Sequence, residues 1–422
     1  LLAAAVFTII LGRSHDGLLL AALFIQPAVL SSFFPAAFGA LARIAPPALR
    51  SVTNALGPPL AFLIGGGVLP ATIGYLGETY SFSAGIVMAG GFMMIGPVMV
   101  LFLKLGQFDD ARLAVNMAQT AADQGAAVLN YMAVTGLTKS GDFTRGVLAV
   151  DRESGREYEI KARAVVNATG VFADQIRRMD TPEAPPMIAP SQGVHIVLDR
   201  SFLPGKGAIM VPHTQDGRVL FATPWHDRVI VGTTDTPVNE TPLEPLPLEE
   251  ELDFLLTHAA QYLTKDPTPA DVLSMFAGLR PLVSMGKEEN SAAISRDHTI
   301  HISASGLVTI TGGKWTTYRK MAEDTVDQAA VVAQLDERPC ATQDLNIHGY
   351  HRNARQFGEL AVYGSDAMAI REINRNDPVC AERLHSRLTP TVGEVVWAVR
   401  HEMARTVEDF LSRRTRSLLL DA

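Results

Sequence analysis

The chain has 422 residues, 47% of them hydrophobic, with 36 Lys and Arg against 44 Asp and Glu and a formal net charge of −8. That length allows two to four domains, and the acidic balance argues against nucleic acid as a partner. The two cysteines, Cys340 and Cys380, make neither a disulfide framework nor a zinc site and fit a reducing compartment. The chain begins with Leu, as a fragment would.

Residues 1–104 carry only Arg13, Asp16, Arg43, Arg50, Glu78 and Lys104 as charges. The apolar runs Leu18 to Leu41, Leu56 to Leu76 and Ser81 to Leu103 are each long enough to cross about 30 Å of hydrocarbon. Leu1 to Leu11 reads as the tail of another span, and several such runs do not fit a cleaved signal peptide. The positive-inside bias places the Arg43–Arg50 loop and everything after Lys104 in the cytoplasm. Through Phe33-Phe34-Pro35-Ala36-Ala37-Phe38-Gly39-Ala40-Leu41 and Pro58-Pro59-Leu60-Ala61-Phe62-Leu63-Ile64-Gly65-Gly66-Gly67, this region resembles the last spans of a major-facilitator-type transporter. A transporter needs two halves around a central site, so four spans predict no transport by this chain alone.

At Leu105–Gly106 the composition changes. Gln107 to Gly125 has helical periodicity, and Ala126 to Val134 reads as a strand. Arg145 to Val150 and Glu157 to Ile160 predict a hairpin around Ser154-Gly155. Ala162 to Gly170 (ARAVVNATG) reads as a buried strand ending in a small-residue turn, followed by a helix over Val171 to Met179. Such a turn lets a backbone approach a bound dinucleotide closely. Residues 193–234 alternate strands with Gly, Asp and Pro turns and predict an antiparallel sheet carrying His195, Trp225 and His226. Pro242 to Leu263 leads into an amphipathic helix, and Val272 to Leu279 runs to Arg280-Pro281. Thr299 to Ile302 and Leu307 to Ile310 return as strands. The second of them enters Thr311-Gly312-Gly313-Lys314 and a helix running to about Leu335. A helix start offers unpaired N–H groups to an anionic or electron-rich group, and Lys314 adds a full charge there. From 336 on the pattern is mostly helical, ending with a helix over Val392 to Leu418.

A dinucleotide site calls for GxGxxG between a strand and a helix, and the sequence contains none. Gly205-Lys206-Gly207 leads into a strand instead, and there is no phosphate-binding Gx4GK[ST] loop. His298 and His301 lie three apart in a strand, so they face opposite ways and make a poor metal pair. His348 and His351 have no carboxylate or cysteine cluster beside them in the sequence. What converges is His195 on one strand, Arg280 after another and Lys314 at a helix start. Two cations and one titratable base suit a small phosphorylated alcohol, because Arg and Lys hold a phosphate and histidine can take a hydroxyl proton as hydride leaves carbon.

From about Gly106 on, the sequence resembles FAD-dependent, quinone-linked glycerol-3-phosphate dehydrogenases of the bacterial aerobic type. The strings are Gly106-Gln107-Phe108-Asp109-Asp110-Ala111-Arg112-Leu113, Val165-Val166-Asn167-Ala168-Thr169-Gly170, Gly193-Val194-His195-Ile196-Val197-Leu198 and Pro224-Trp225-His226. They continue with Val231-Gly232-Thr233-Thr234-Asp235-Thr236, Ala277-Gly278-Leu279-Arg280-Pro281-Leu282, Ser295-Arg296-Asp297, Thr311 to Lys320 and Trp397 to Arg405. The resemblance implies an α/β (α+β) FAD-dependent oxidoreductase fold lacking its N-terminal βαβ unit, with an antiparallel substrate sheet and a helical C-terminal domain, preceded by a transmembrane α-helical segment.

Four parts are expected: transmembrane helices over 1–104, a partial FAD-binding domain over 105–192 and 285–335, a substrate-binding sheet over 193–284 and C-terminal helices over 336–422. Arg280 and Lys314 would bind the substrate phosphate by the flavin, and His195 would sit at the substrate, with His195 and Arg280 catalytic. Thr169 and Gly170 would line the cofactor, and Gly312, Gly313, Lys314 and Thr316 would close on the flavin ring. The resemblance further implies oxidation of glycerol 3-phosphate to dihydroxyacetone phosphate, FAD as cofactor, no metal, and electrons passed to membrane quinone. The setting would be the lipid bilayer of a bacterial inner membrane, the catalytic part facing the cytoplasm, with homo-oligomer formation open. Two other readings compete: another flavin amine or amino-acid oxidase of the same fold, and an inactive membrane-anchored fusion without cofactor.

Overall fold

The structure, a computed structural model, describes residues 2–13, scattered positions between 71 and 89, and residues 109–205, 207–211, 219–283 and 298–420. The three long apolar runs lie wholly or mostly outside the described residues, as do Gly106–Phe108 and Ser295–Asp297. Helix α1 (Leu2–Arg13) has 12 residues, about 18 Å of helix against about 30 Å of hydrocarbon. Among the described residues no helix is long and apolar enough to cross a membrane. The expected transmembrane segment therefore finds no support there. The chain divides into two compact units, Leu1–Phe108 and Asp109–Ala422, and the second carries the architecture that follows.

Helix α2 (Asp110–Asp123) starts where Asp109 caps it by accepting the Arg112 N–H at 2.9 Å. A meander follows: β1 (Met132–Ser140), β2 (Phe143–Asp151) and β3 (Glu157–Lys161), antiparallel in that order. The hairpin around Ser154-Gly155 is as expected, but the first strand starts at Met132 rather than Ala126. Tyr131 turns the chain with a φ of 58°, and Asn130 Nδ2 donates to Met403 O at 2.7 Å. The residues before β1 are thus tied to the C-terminal region instead of the sheet.

Strand β4 is short, Val165–Asn167, and a single turn at Gly170–Phe172 leads from it into α3 (Ala173–Asp180). The second sheet combines β5 (Ile188–Asp199), β6 (Ile209–Val211), β7 (Leu220–Trp225), β8 (Arg228–Gly232), β9 (Thr236–Pro237) and β10 (Val272–Val283). Its order is β10-β5-β8-β7-β6, with β9 beside β5. The alternation of β-branched and small residues sends Val194, Ile196, Leu198, Ala222, Val229 and Val231 to one face, where they are buried. Helix α4 (Glu249–Ala260) covers that face with Leu255, Leu256 and Ala259. The pin beneath it is Glu251, which accepts from Thr234 Oγ1 (2.9 Å), Gln192 Nε2 (2.7 Å) and the Leu248 N–H (3.0 Å).

Strands β11 (His298–Ile302) and β12 (Leu307–Gly312) form the third sheet, with β12 parallel to β4 and Thr309 opposite Asn167. After β12 the chain makes one tight turn over Trp315–Thr317, then α5 (Tyr318–Val332). The C-terminal region holds α6 (Ala367–Asn376), α7 (Val392–His401), a π-helical turn at Asp409–Arg414 and α8 (Ser417–Leu420). The single helix expected over Val392 to Leu418 is broken after His401. Met403 has a φ of 54°, the Ala404 N–H returns to Ala398 O at 3.1 Å, and Arg414 Nε bonds Glu402 O at 3.1 Å. Local periodicity could not show that break, because its bonds join residues six and twelve positions apart.

Candidate active site

The face of the sheet opposite α4 is where the charged and aromatic residues gather. Period-two alternation puts Ser191, Gly193 and His195 of β5 on this face. In register, Phe276 stands opposite His195, Gly278 opposite Gly193, and Arg280 opposite Ser191. On the other side of β5, Gly232 stands opposite His195. His195 stacks on Phe276 with ring centroids 5.3 Å apart and 12° between planes. Trp225 closes over Phe276 at 6.5 Å and meets the edge of His226 at 5.2 Å. The result is an aromatic wall along one side of this face.

Arg280 is held in place. Its Nη1 donates to Asp235 Oδ1 at 3.3 Å and its Nη2 to Thr233 Oγ1 at 3.0 Å, while the Ser191 hydroxyl donates to the same Asp235 oxygen. The Arg280 side chain stays 34% exposed. His195 is affected in turn. Burial, and then the positive charge of Arg280, lowers its pKa from 6.5 to about 4, with Asp110 acting weakly the other way. At neutral pH the imidazole is therefore uncharged, with a lone pair available, beside a fixed cation.

Two glycine turns lie at the carboxyl ends of the neighbouring parallel strands β4 and β12, the position where open α/β sheets bind ligands. Gly170 has a φ of 60°, and Gly312 and Gly313 each have 74°, a left-handed region that glycine adopts without strain. Asn167 fixes the first turn: it accepts from Thr169 Oγ1 at 2.7 Å and donates to Ala173 O at 2.9 Å and to Thr309 Oγ1 at 3.3 Å. A Cβ on Gly170 would meet open space, whereas one on Gly313 would stand 2.6 Å from Met321 Sδ. The Gly170–Phe172 turn lies against both β12 and β10, the strand of Arg280. Beside it, the buried Thr311 hydroxyl has no hydrogen-bond partner among the described residues.

The structure thus brings together His195 and Arg280, and separately Thr169 and Gly170 with Gly312 and Gly313. Lys314 and Thr316 stand on the exposed turn after β12, and no direct contact joins Lys314 to Arg280 or His195. Asp235, Thr233 and Ser191 escaped the sequence reading. Their signal was present in Thr233-Thr234-Asp235-Thr236, but nothing in that string says which cation it holds. His348 also differs from its reading as a histidine without carboxylates. Its Nδ1 meets Asp123 Oδ2 at 2.7 Å and its Nε2 meets Asp366 Oδ2 at 2.9 Å.

Residues 96–319 match a family model described as FAD dependent oxidoreductase, and residues 308–422 match the C-terminal domain of alpha-glycerophosphate oxidase. Among curated relatives, the mitochondrial glycerol-3-phosphate dehydrogenase of Macaca fascicularis is 39% identical over 344 residues, covering 75% of this chain and 47% of the relative. That of Schizosaccharomyces pombe is 38% identical over 377 residues, 75% of this chain and 58% of the relative. The chain spans about half the length of the curated relatives it matches. A crystal structure of the glycerol-3-phosphate dehydrogenase from Bacillus halodurans complexed with FAD superposes with a TM-score of 0.64 at 32% identity, covering 74% of this chain and 65% of that one. The expected bacterial inner-membrane location is overturned: these curated relatives are mitochondrial enzymes of eukaryotes, and no described helix can cross a bilayer.

Proposed function

This chain belongs to the FAD-dependent oxidoreductase family, and on that premise we propose that it serves the oxidation of glycerol 3-phosphate to dihydroxyacetone phosphate, with quinone as the final electron acceptor. The observation that carries the reading is a partly exposed, anchored guanidinium beside a neutral imidazole on one open sheet face. The names of the relatives give the substrate. The residues present fit the flavin end of FAD. The open space at Gly170 and the unpartnered Thr311 hydroxyl suit a ring lying between the two glycine turns. The GxGxxG strand that would grip the ADP end is not in the sequence.

When bound, FAD supplies the acceptor for the hydride leaving C2 of the substrate. Thr169, Gly170, Gly312, Gly313 and Thr316 would hold it. Arg280, partly exposed, binds the phosphate by charge-assisted hydrogen bonds, and Lys314 adds its charge from the turn after β12. His195, uncharged, accepts the proton of the C2 hydroxyl on its unprotonated ring nitrogen as the carbonyl forms. The stack on Phe276 holds the imidazole ring in place. In the residues that precede Leu105, the apolar runs support a membrane segment resembling transporter spans.

Dye reduction with glycerol 3-phosphate tests the reading. Arg280→Ala should lower kcat/KM by about a hundredfold, the effect of losing a set of charge-assisted bonds to phosphate. Arg280→Lys should recover only part of it, since an ammonium cannot reproduce the fork that meets Asp235 and Thr233 as well as the ligand. Turnover unchanged in Arg280→Ala would exclude the phosphate role.

A further inference from the structure

Glycine inside a strand weakens it relative to alanine. Gly193 and Gly232 both lie within strands that pair on two sides. Neither has a positive φ, so no left-handed backbone calls for glycine at either place. The reason lies above them. A Cβ on Gly193 would stand 2.7 Å from both Cζ and Nη1 of Arg280. A Cβ on Gly232 would stand 2.7 Å from Nε2 of His195. Each functional side chain therefore lies directly on the backbone of a neighbouring strand, in the space that a methyl group would take.

We propose that Gly193 and Gly232 are positioning residues, a pair of seats that lets the Arg280 guanidinium and the His195 imidazole lie flat on the sheet at a fixed spacing. The proposal rests on the reading that these two groups serve a phosphorylated alcohol. Arg280 lies over Gly193 of β5 and the His195 ring over Gly232 of β8, which stands opposite His195, so two residues along the strands and one strand spacing set the two groups about 8 Å apart. A three-carbon phosphorylated alcohol covers that span with a hydrogen bond at each end. Gly278 stands opposite Gly193, and among the described residues nothing lies within 4 Å of where its Cβ would be, which gives the carbon chain room beside the seats. Neither side chain can shift without loss. Arg280 would leave Asp235 and Thr233. His195 would leave its stack on Phe276 and the buried position that keeps it uncharged.

The two seats predict different failures. Gly193→Ala lifts the guanidinium and weakens the phosphate grip. Gly232→Ala lifts the imidazole toward water and changes its protonation. Neither position has the left-handed φ that alanine resists, so both variants should still fold and melt cooperatively, at a temperature lowered by the displaced side chain. The experiment uses the full chain. The His195 ring is titrated by NMR, its signal assigned with His195→Gln, and binding of inorganic phosphate and of glycerol 3-phosphate is measured by calorimetry. In the wild type His195 should titrate near 4, and in Gly232→Ala about one unit or more higher, toward the ordinary 6.5. Gly193→Ala should weaken both ligands about tenfold or more and leave the His195 titration of the free chain low. With turnover, Gly193→Ala should act on KM and Gly232→Ala on kcat.

An unchanged His195 titration in Gly232→Ala would overturn that seat, and phosphate affinity within about twofold of wild type in Gly193→Ala would overturn the other. Collapse of the melting temperature in both variants would make the glycines structural and overturn the proposal. Wild-type chain that binds neither phosphate nor glycerol 3-phosphate would overturn the proposed substrate and the Arg280 seat with it. The His195 titration needs no ligand, so it judges the imidazole seat on its own.

Discussion

At the scale of residues, the site works by setting one charge against the protonation of its neighbour. Arg280 is fixed by Asp235 and Thr233, and its positive charge joins burial in holding His195 near 4. An acid limb in log kcat/KM should therefore appear only as pH approaches 4. Activity should be flat from about pH 8 to about pH 5, whereas an unperturbed histidine would bend the profile near 6.5. A profile bending near 6.5 would contradict the burial of His195. The same shift acts on stability. Between 4 and 6.5 the unfolded chain binds a proton that the folded chain does not, so acidification through that window costs folding free energy. His195 and Arg280 were legible because residue type, strand periodicity and resemblance all pointed to them. Asp235 was not, since an aspartate after two threonines is as well explained by a turn.

At the scale of elements, the parts with strong local signals came out as read: the Ser154-Gly155 hairpin, the antiparallel sheet, the helix α4, and the glycine turns after β4 and β12. What went astray was decided by distant partners. Residues 126–131 look like a strand, yet Asn130 and Tyr131 bond Met403 and Asp409 instead. The helical pattern after His401 is interrupted at Glu402, which pairs in the core with Arg112 of α2. The Arg112 guanidinium also lies 4.4 Å from the centre of the Tyr363 ring and bonds Arg414 O at 2.9 Å. Removing one member of a buried pair strands the other, at a cost of about 3–5 kcal/mol. Glu402→Ala should therefore lower stability by about that amount in urea unfolding. A loss below about 1 kcal/mol would mean that the pair does not lock the break in place.

At the scale of the molecule, His348 ties the C-terminal helices to the rest of the second unit. Beyond its two carboxylate contacts, its N–H donates to Thr120 Oγ1 at 2.8 Å and its carbonyl accepts from Asn116 Nδ2 at 3.0 Å. Burial opposes the charge on His348, but Asp123 and Asp366 outweigh it and raise the pKa above 6.5. A raised folded pKa gives stability that is fully present below about 6.5 and lost as pH rises through the higher folded value. His348→Gln should remove that part of the pH dependence, narrowing the gap to wild type as pH rises in thermal melts. A gap that is constant with pH would show the clamp to be uncharged. The sequence hid this tie because Asp123 lies 225 positions from His348.

The account as a whole stands on a flavin lying between the glycine turns and a substrate held by Arg280. The most direct test is anaerobic: the purified full chain is loaded with FAD, freed of excess, and mixed with glycerol 3-phosphate while flavin absorbance is followed. The account predicts yellow protein that bleaches with glycerol 3-phosphate, and much more slowly in Arg280→Ala. Protein that stays colourless after FAD, or yellow protein that glycerol 3-phosphate leaves oxidised, would contradict it.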